Sequence, residues 1–168
     1  MTKLSVGHKA PKFSLRDGDG HAHSLKDFIG RKILLYFYPK DDTPGCTAEA
    51  CALRDSFTDF ADKKTMILGV SADTEKSHKK FSEKYDLPFP LLSDPEKETI
   101  KAYGAWGKKK FMGREYQGVL RMSILIDERG KIAKIYEEVK PKLHAKEVLN
   151  DLDNKKKKKA SRFKPRLS

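Results

Sequence analysis

The longest apolar run in the chain, Ile33-Leu34-Leu35-Tyr36-Phe37-Tyr38, constrains the fold more than any other feature. Six residues make a strand and fall far short of the roughly 20 that a membrane-spanning helix requires. The run shows no apolar–polar alternation, so it belongs in a strand covered on both faces, which calls for helices on either side of a sheet. Pro39-Lys40-Asp41-Asp42-Thr43-Pro44-Gly45 follows and reads as a loop. Beyond it Cys46, Ala50, Leu53, Phe57 and Phe60 recur at helical spacing. That pattern predicts one amphipathic helix with Cys46 at its start and on its apolar side.

Met66–Val70 predicts a second buried strand. Thr74 is placed to cap a helix whose stripe is His78, Phe81 and Tyr85 and which Pro88 and Pro90 stop. Asp94-Pro95 opens another helix. Leu120–Ile126 and Lys131–Glu137 flank Asp127-Glu128-Arg129-Gly130 as a hairpin, and Ala145–Leu152 forms a short terminal helix. Strands alternating with helices, then a hairpin, predict an α/β fold with a mixed central sheet flanked by helices.

The 168 residues suit one domain, expected over residues 1–154. Net charge is +12, but residues 155–168 carry eight bases and no acid, whereas the preceding 154 residues carry 28 bases against 24 acids. Basic character is therefore a property of the tail, Lys155 to Arg166 above all, and that tail is expected to be disordered. The first residues lack the long apolar centre of a secretory signal. A cytoplasmic protein without a transmembrane segment is expected, with the tail offering a nuclear address in a eukaryote.

Two cysteines, Cys46 and Cys51, are too few for a disulfide scaffold. A close pair in a reducing compartment suggests redox or metal chemistry; two inert buried thiols are the bland alternative. The first turn of a helix has free N–H groups and the positive end of the dipole, both of which favour an anion at Cys46. Gly45 lets backbone amides approach a bound ligand, Thr43 supplies a hydroxyl, and Pro39 and Pro44 stiffen the loop. Arg121 interrupts the apolar strand Leu120–Ile126, sharing a face with Ser123 and Leu125. A buried guanidinium there needs an anion, either a thiolate or an ordinary Asp or Glu. In an intact helix, residues five apart have Cα atoms roughly 8.7 Å apart, beyond the reach of about 7 Å for a disulfide. A Cys46–Cys51 bond thus requires the first turns to unwind, coupling redox state to local folding.

These residues resemble the active-site stretch of the peroxiredoxins, and more narrowly of the bacterioferritin comigratory protein or peroxiredoxin Q branch. Tyr36 to Cys51 carries the likeness: the Pro-x-x-x-Thr-x-x-Cys signature falls on Pro39, Thr43 and Cys46, with the second cysteine five residues on. Val6-Gly7-His8-Lys9-Ala10-Pro11-Lys12-Phe13, Tyr103-Gly104-Ala105-Trp106-Gly107 and Gly113-Arg114 extend it, so that it covers about residues 4 to 152. Ser123 stands where many relatives have Thr, and the lysine-rich tail has no counterpart in the pattern. The resemblance implies a thioredoxin-like fold and a thiol peroxidase that needs no metal or haem. It implies that Cys46 is peroxidatic, that Cys51 resolves its sulfenic acid as an intramolecular disulfide, and that thioredoxin or a similar dithiol recycles the enzyme. Arg121, Thr43 and the amides near Gly45 would polarise the peroxide, Pro39 would shield the sulfur, and Glu49 also matches the branch. The intrachain pairing favours a monomer.

Three rival readings differ in class. A copper or zinc carrier would use the cysteines with a histidine, but His8, His21, His23, His78 and His144 do not stand at zinc-finger spacing to them. A thioredoxin-type reductase would use Cys-x-x-Cys. A nucleic-acid-associated protein would act through the basic tail, with strong salt dependence and no folded base-reading motif.

Overall fold

The computed structural model describes residues 4–162, with side chains as far as residue 154. Its central sheet has seven strands in the order β2-β1-β5-β4-β3-β8-β9. These are β1 (Ser14–Arg16), β2 (Ala22–Ser24), β3 (Lys32–Phe37), β4 (Thr65–Ser71), β5 (Leu91–Ser93), β8 (Met122–Ile126) and β9 (Ile132–Tyr136). The apolar run occupies the centre as β3, parallel to β4 and antiparallel to β8. The sheet is therefore mixed, as the order of elements predicts. A separate two-stranded ribbon is formed by β6 (Trp106–Phe111) and β7 (Arg114–Val119).

Strand alternation divides the core in two. Leu34, Tyr36, Tyr38, Ile67 and Leu125 pack on one face with Cys46, Ala50, Leu53, Phe60, Phe81, Val148 and Leu152. Ile33, Leu35, Phe37, Leu68, Val70 and Ile124 pack on the other with Phe13, Phe28, Ile100 and Tyr103. The first face carries the helices α1 (Pro44–Asp55), α2 (Phe57–Asp62), α3 (Glu75–Tyr85) and α5 (His144–Arg162); the second carries a 3-10 turn at Leu25–Phe28 and α4 (Glu98–Ala102). Gly69, paired with Tyr36, leaves room for the tyrosine ring: a Cβ there would lie 2.8 Å from the Tyr36 Cζ.

Several boundaries differ from the sequence expectations. The stripe from Cys46 to Phe60 spans two helices, because the chain breaks at Ser56, a weak helix former held at φ −102, ψ 6. The helix starts earlier, with Pro44 at its first position, so Pro44 and Gly45 belong to α1 rather than to the loop. Asp94 does not open a helix; its Oδ2 accepts the Ile100 N–H, and α4 starts four residues later at Glu98. Arg121 sits just ahead of β8 instead of within it. The last helix starts at His144, and its backbone runs to Arg162, beyond Leu152, the last buried residue among the described side chains. Lysine is a good helix former, so helical geometry continues into the segment that composition marks as unable to pack. The rest of the tail, 163–168, lies outside the described residues. No described helix is long and apolar enough to cross a membrane.

Candidate active site

Cys46 stands third in α1, behind Thr43 as N-cap and Pro44 and Gly45. The first intrahelical bond is donated by Thr47 to the Thr43 carbonyl at 2.8 Å. Pro44 has no N–H, and among the described residues the Gly45 and Cys46 N–H groups have no partner. Thr43 does not close the helix end: its hydroxyl turns away and donates to the Lys40 carbonyl at 2.8 Å. The first turn also contains no acidic residue. The positive end of the α1 dipole is therefore directed, uncompensated, at the sulfur, which is 1% exposed.

Arg121 reaches this point from the opposite side. Its Nη2 donates to the Cys46 Sγ at 3.3 Å and its Nη1 to Glu49 Oε1 at 2.9 Å. The cysteine sulfur and a carboxylate, the two kinds of partner between which the sequence does not choose, both receive it. Gly45 makes the approach sterically open, since a Cβ there would lie 2.9 Å from Arg121 Nη2. The guanidinium is half-buried; burial alone would lower its proton affinity, but the Cys46 sulfur and then Glu49 raise it.

Glu49 lies one turn beyond Cys46 and is fully buried. Burial pushes its carboxyl up to about 7, against the pull of Arg121. Its Oε2 and the Tyr36 hydroxyl are buried polar atoms without a hydrogen-bond partner among the described residues. Burial, then the charges of Glu49 and Cys46, keep Tyr36 a neutral phenol. Near neutrality the Glu49 carboxyl is thus divided between its charged and neutral forms.

The Pro39–Thr43 segment is fixed by a buried network that sequence reasoning misses. Tyr38 donates to Asp41 Oδ1 at 2.7 Å, Ser77 donates to Asp41 Oδ2 at 2.8 Å, and His78 Nδ1 lies 2.7 Å from the same oxygen. His78 Nε2 donates to the Leu92 carbonyl at 3.0 Å, and the Asp41 N–H donates to Asp73 Oδ2 at 2.9 Å. His78, read from sequence only as one position of a helix stripe, is thus the link between α3 and the active-site loop. Asp42 takes the left-handed conformation, φ 55, and receives hydrogen bonds from Lys84 and Tyr85. Pro39, half-buried, begins the loop that leads to Thr43.

Cys51 is half-buried and unpaired, in the same unbroken helix as Cys46. A bond between them would need the unwinding that helix geometry predicts. Arg54, one turn on, donates to the Tyr85 carbonyl at 2.8 Å and so ties the following turn of α1 to α3. A shallow groove with a largely apolar surface, lined by Pro44, Gly45, Ala48, Pro141 and Leu143 together with Lys140 and Lys142, flanks the first turn. Among the described residues, one set of potential metal ligands converges, Asp41, Asp73 and His78, and it contains neither cysteine. Trp106 is half-buried beneath the ammonium groups of Lys97 and Lys101, and Tyr103 is buried with its hydroxyl on the Pro11 carbonyl. His21 is exposed; His23 instead bonds Asp17 at 2.7 Å and stacks on Phe28.

Residues 6–135 match the AhpC/TSA family. The chain is 46% identical over 149 residues to Peroxiredoxin Bcp of Bacillus subtilis, covering 89% of this chain and 95% of the relative. It is 45% identical over 150 residues to Peroxiredoxin Bcp of Escherichia coli, covering 89% and 96%. Among solved structures, a bacterioferritin comigratory protein of Xanthomonas campestris, described for alkyl peroxide reduction, superposes with a TM-score of 0.83 at 31% identity, covering 90% of this chain and 99% of that one. A cysteine variant of PrxQ from Xylella fastidiosa gives 0.86 at 30% identity, covering 93% and 99%.

Proposed function

The chain belongs to the AhpC/TSA family as a peroxiredoxin of the Bcp branch, a thiol-dependent peroxidase, and from that premise we propose that Cys46 is its peroxidatic thiolate and Cys51 its resolving thiol. The Cys46 sulfur attacks the terminal oxygen of a hydroperoxide; an S–O bond forms and the O–O bond breaks. The departing oxygen takes a proton and leaves as water or an alcohol, and Cys46 becomes a sulfenic acid. Cys51 then attacks that sulfur, an S–S bond forms, and water leaves. A dithiol donor such as thioredoxin supplies two electrons and two protons to restore both thiols.

Arg121 would stabilise the departing oxygen, assisted by the free amides of Gly45 and Cys46 and by Thr43. Pro39 would limit the access of water to the sulfur. Glu49, by taking up a proton near neutrality, would set how far the Arg121 charge is shared with the sulfur. The groove along Pro44, Ala48, Pro141 and Leu143 would take the carbon chain of an organic hydroperoxide. The catalytic domain would end at residue 154. Two unpaired thiols suit a reducing, cytoplasmic setting, and an intrachain disulfide suits a monomer. The basic tail, Lys155 to Arg166, would add at most a weak, salt-sensitive contact with polyanions. The metal-carrier and nucleic-acid readings gain no support from the relatives.

The observation that carries this reading is the 3.3 Å approach of Arg121 to a buried cysteine at an uncapped helix start. The test is peroxide consumption with thioredoxin and its reductase. The wild type is expected to turn over repeatedly and Cys46→Ser not at all, while Cys51→Ser should oxidise at Cys46 without closing the intramolecular bond. Turnover by Cys46→Ser at the wild-type rate would overturn the assignment.

A further inference from the structure

The ribbon β6–β7 carries three consecutive lysines, and they do not behave alike. Lys108 and Lys110 are exposed, whereas Lys109 is half-buried. Its side chain runs back along the ribbon towards its base, and its Nζ donates to the Val119 carbonyl at 2.9 Å. Gly118 clears the path. Gly107 and Gly118 are directly paired, and alternation puts both on the face that Lys109 shares with Tyr116. A Cβ on Gly118 would lie 3.0 Å from Lys109 Cδ, and one on Gly107 would lie 3.1 Å from Leu120 Cδ1. Neither glycine has a positive φ, so space rather than backbone conformation accounts for them.

The carbonyl that Lys109 holds is two residues before Arg121. Between them, the Leu120 N–H donates to the Ala105 carbonyl at 2.7 Å. The segment that delivers the guanidinium to Cys46 is thus fastened on both sides. Burial and then the Arg121 charge lower the Lys109 ammonium from the ordinary lysine range, while the Cys46 sulfur acts in the opposite direction. The Lys109 ammonium is thus held on a carbonyl two residues from Arg121 in the chain. Among the described residues, Glu49 on its own helix, Tyr36 on β3 and Arg121 ahead of β8 are titratable groups that also face Cys46.

We propose that Lys109 is a positioning residue for the Cys46 centre: with its stem passing over Gly118, it fixes the Val119–Arg121 segment and brings a second positive charge to it. This rests on the peroxidase reading above. It gives the ribbon, which contributes little to the main core, a part in the chemistry.

The test measures the rate constant for oxidation of Cys46 by hydrogen peroxide between about pH 5 and pH 9, in the full chain. Lys109→Met is expected to slow the reaction about tenfold at neutral pH and to displace its pH profile about one unit towards alkali. Lys109→Arg should bring the profile back, and Lys108→Met should overlay the wild type. Gly118→Ala keeps the charge but crowds the stem, so it should slow the reaction with a smaller displacement. A Lys109→Met profile identical to the wild type would overturn the proposal. So would a loss of rate without displacement that Lys109→Arg does not repair, because that is the signature of a merely structural ribbon. If the wild type itself fails to consume peroxide, the peroxidase reading falls first and the proposal with it.

Discussion

Helices α1 and α3 begin from the same residue in nearly the same conformation and end up chemically opposite. Thr43 precedes α1 at φ −96, ψ 155, and Thr74 precedes α3 at φ −72, ψ 161. At α3 the Thr74 hydroxyl accepts the Ser77 N–H at 3.1 Å, and Glu75 occupies the first turn. That end is sealed in hydrogen bonds and in charge. At α1 the hydroxyl turns to Lys40, the next residue is a proline, and the first turn has no acid. The third helical position is Ser77 in one and Cys46 in the other. A threonine at a helix start is therefore not by itself a cap. Where its hydroxyl is withdrawn, the helix forgoes about 1 kcal/mol of capping stabilisation, and an anion site opens on a turn that the proposed Cys46–Cys51 bond would unwind.

Removing the cation should break this contrast most severely. Arg121→Gln takes the guanidinium from Cys46 and Glu49 and leaves α3 untouched. Cys46 oxidation is expected to slow by about 10²–10³-fold, read by stopped-flow with hydrogen peroxide. An unchanged rate would mean that the helix end alone activates the sulfur.

Glu49→Gln tests the acid that α1 buries one turn inside rather than at its exposed start. The folded-state carboxyl is raised from 4.5 to about 7. The folded protein therefore binds the proton more tightly than the unfolded chain. Wild-type stability should be free of the penalty below about pH 4.5, fall as pH rises towards 7, and stay lowered above. Glu49→Gln abolishes this loss, so its stability relative to wild type should rise by on the order of 3 kcal/mol between about pH 4 and pH 8, read from urea unfolding at both pH values. An equal difference at the two pH values would mean that folding leaves the Glu49 carboxyl at its ordinary value.

Gly45→Ala sharpens the steric side. The new Cβ falls 2.9 Å from Arg121 Nη2, and displacing the guanidinium should slow Cys46 oxidation about tenfold, equivalent to about 1.4 kcal/mol. The two threonines give the smallest and most direct contrast. Thr74→Ala should lower stability by about 1 kcal/mol with the peroxide rate unchanged. Thr43→Ala should do the reverse, slowing oxidation while costing less than about 0.5 kcal/mol. Equal losses of stability would show that both ends are capped.

The sequence reveals the central strand, the helix that carries Cys46 and the need of Arg121 for an anion, because each depends on strong local patterning. Leu34, Tyr36 and Tyr38 face the cysteine and Ile33, Leu35 and Phe37 face away, as alternation requires. What stays hidden depends on contacts distant in the chain. Asp41 and His78 read as a loop acid and a stripe residue until folding places them 2.7 Å apart. The ribbon is also missed, since Lys108, Lys109 and Lys110 look like solvated surface and Gly107 and Gly118 like loop residues. Only their pairing shows that the two glycines share a face. The strands β1, β2 and β5 have three residues each, too short for a period to register.

Intact-mass analysis of the reduced protein after one equivalent of hydrogen peroxide tests the central claim most directly. A loss of about two mass units in the monomer is expected, as two thiols become one disulfide. The bond should map to Cys46 and Cys51, vanish in Cys46→Ser, and give way to a sulfenic acid on Cys46 in Cys51→Ser. An unchanged mass, or oxidation that begins at Cys51 while Cys46 remains a thiol, would contradict the account.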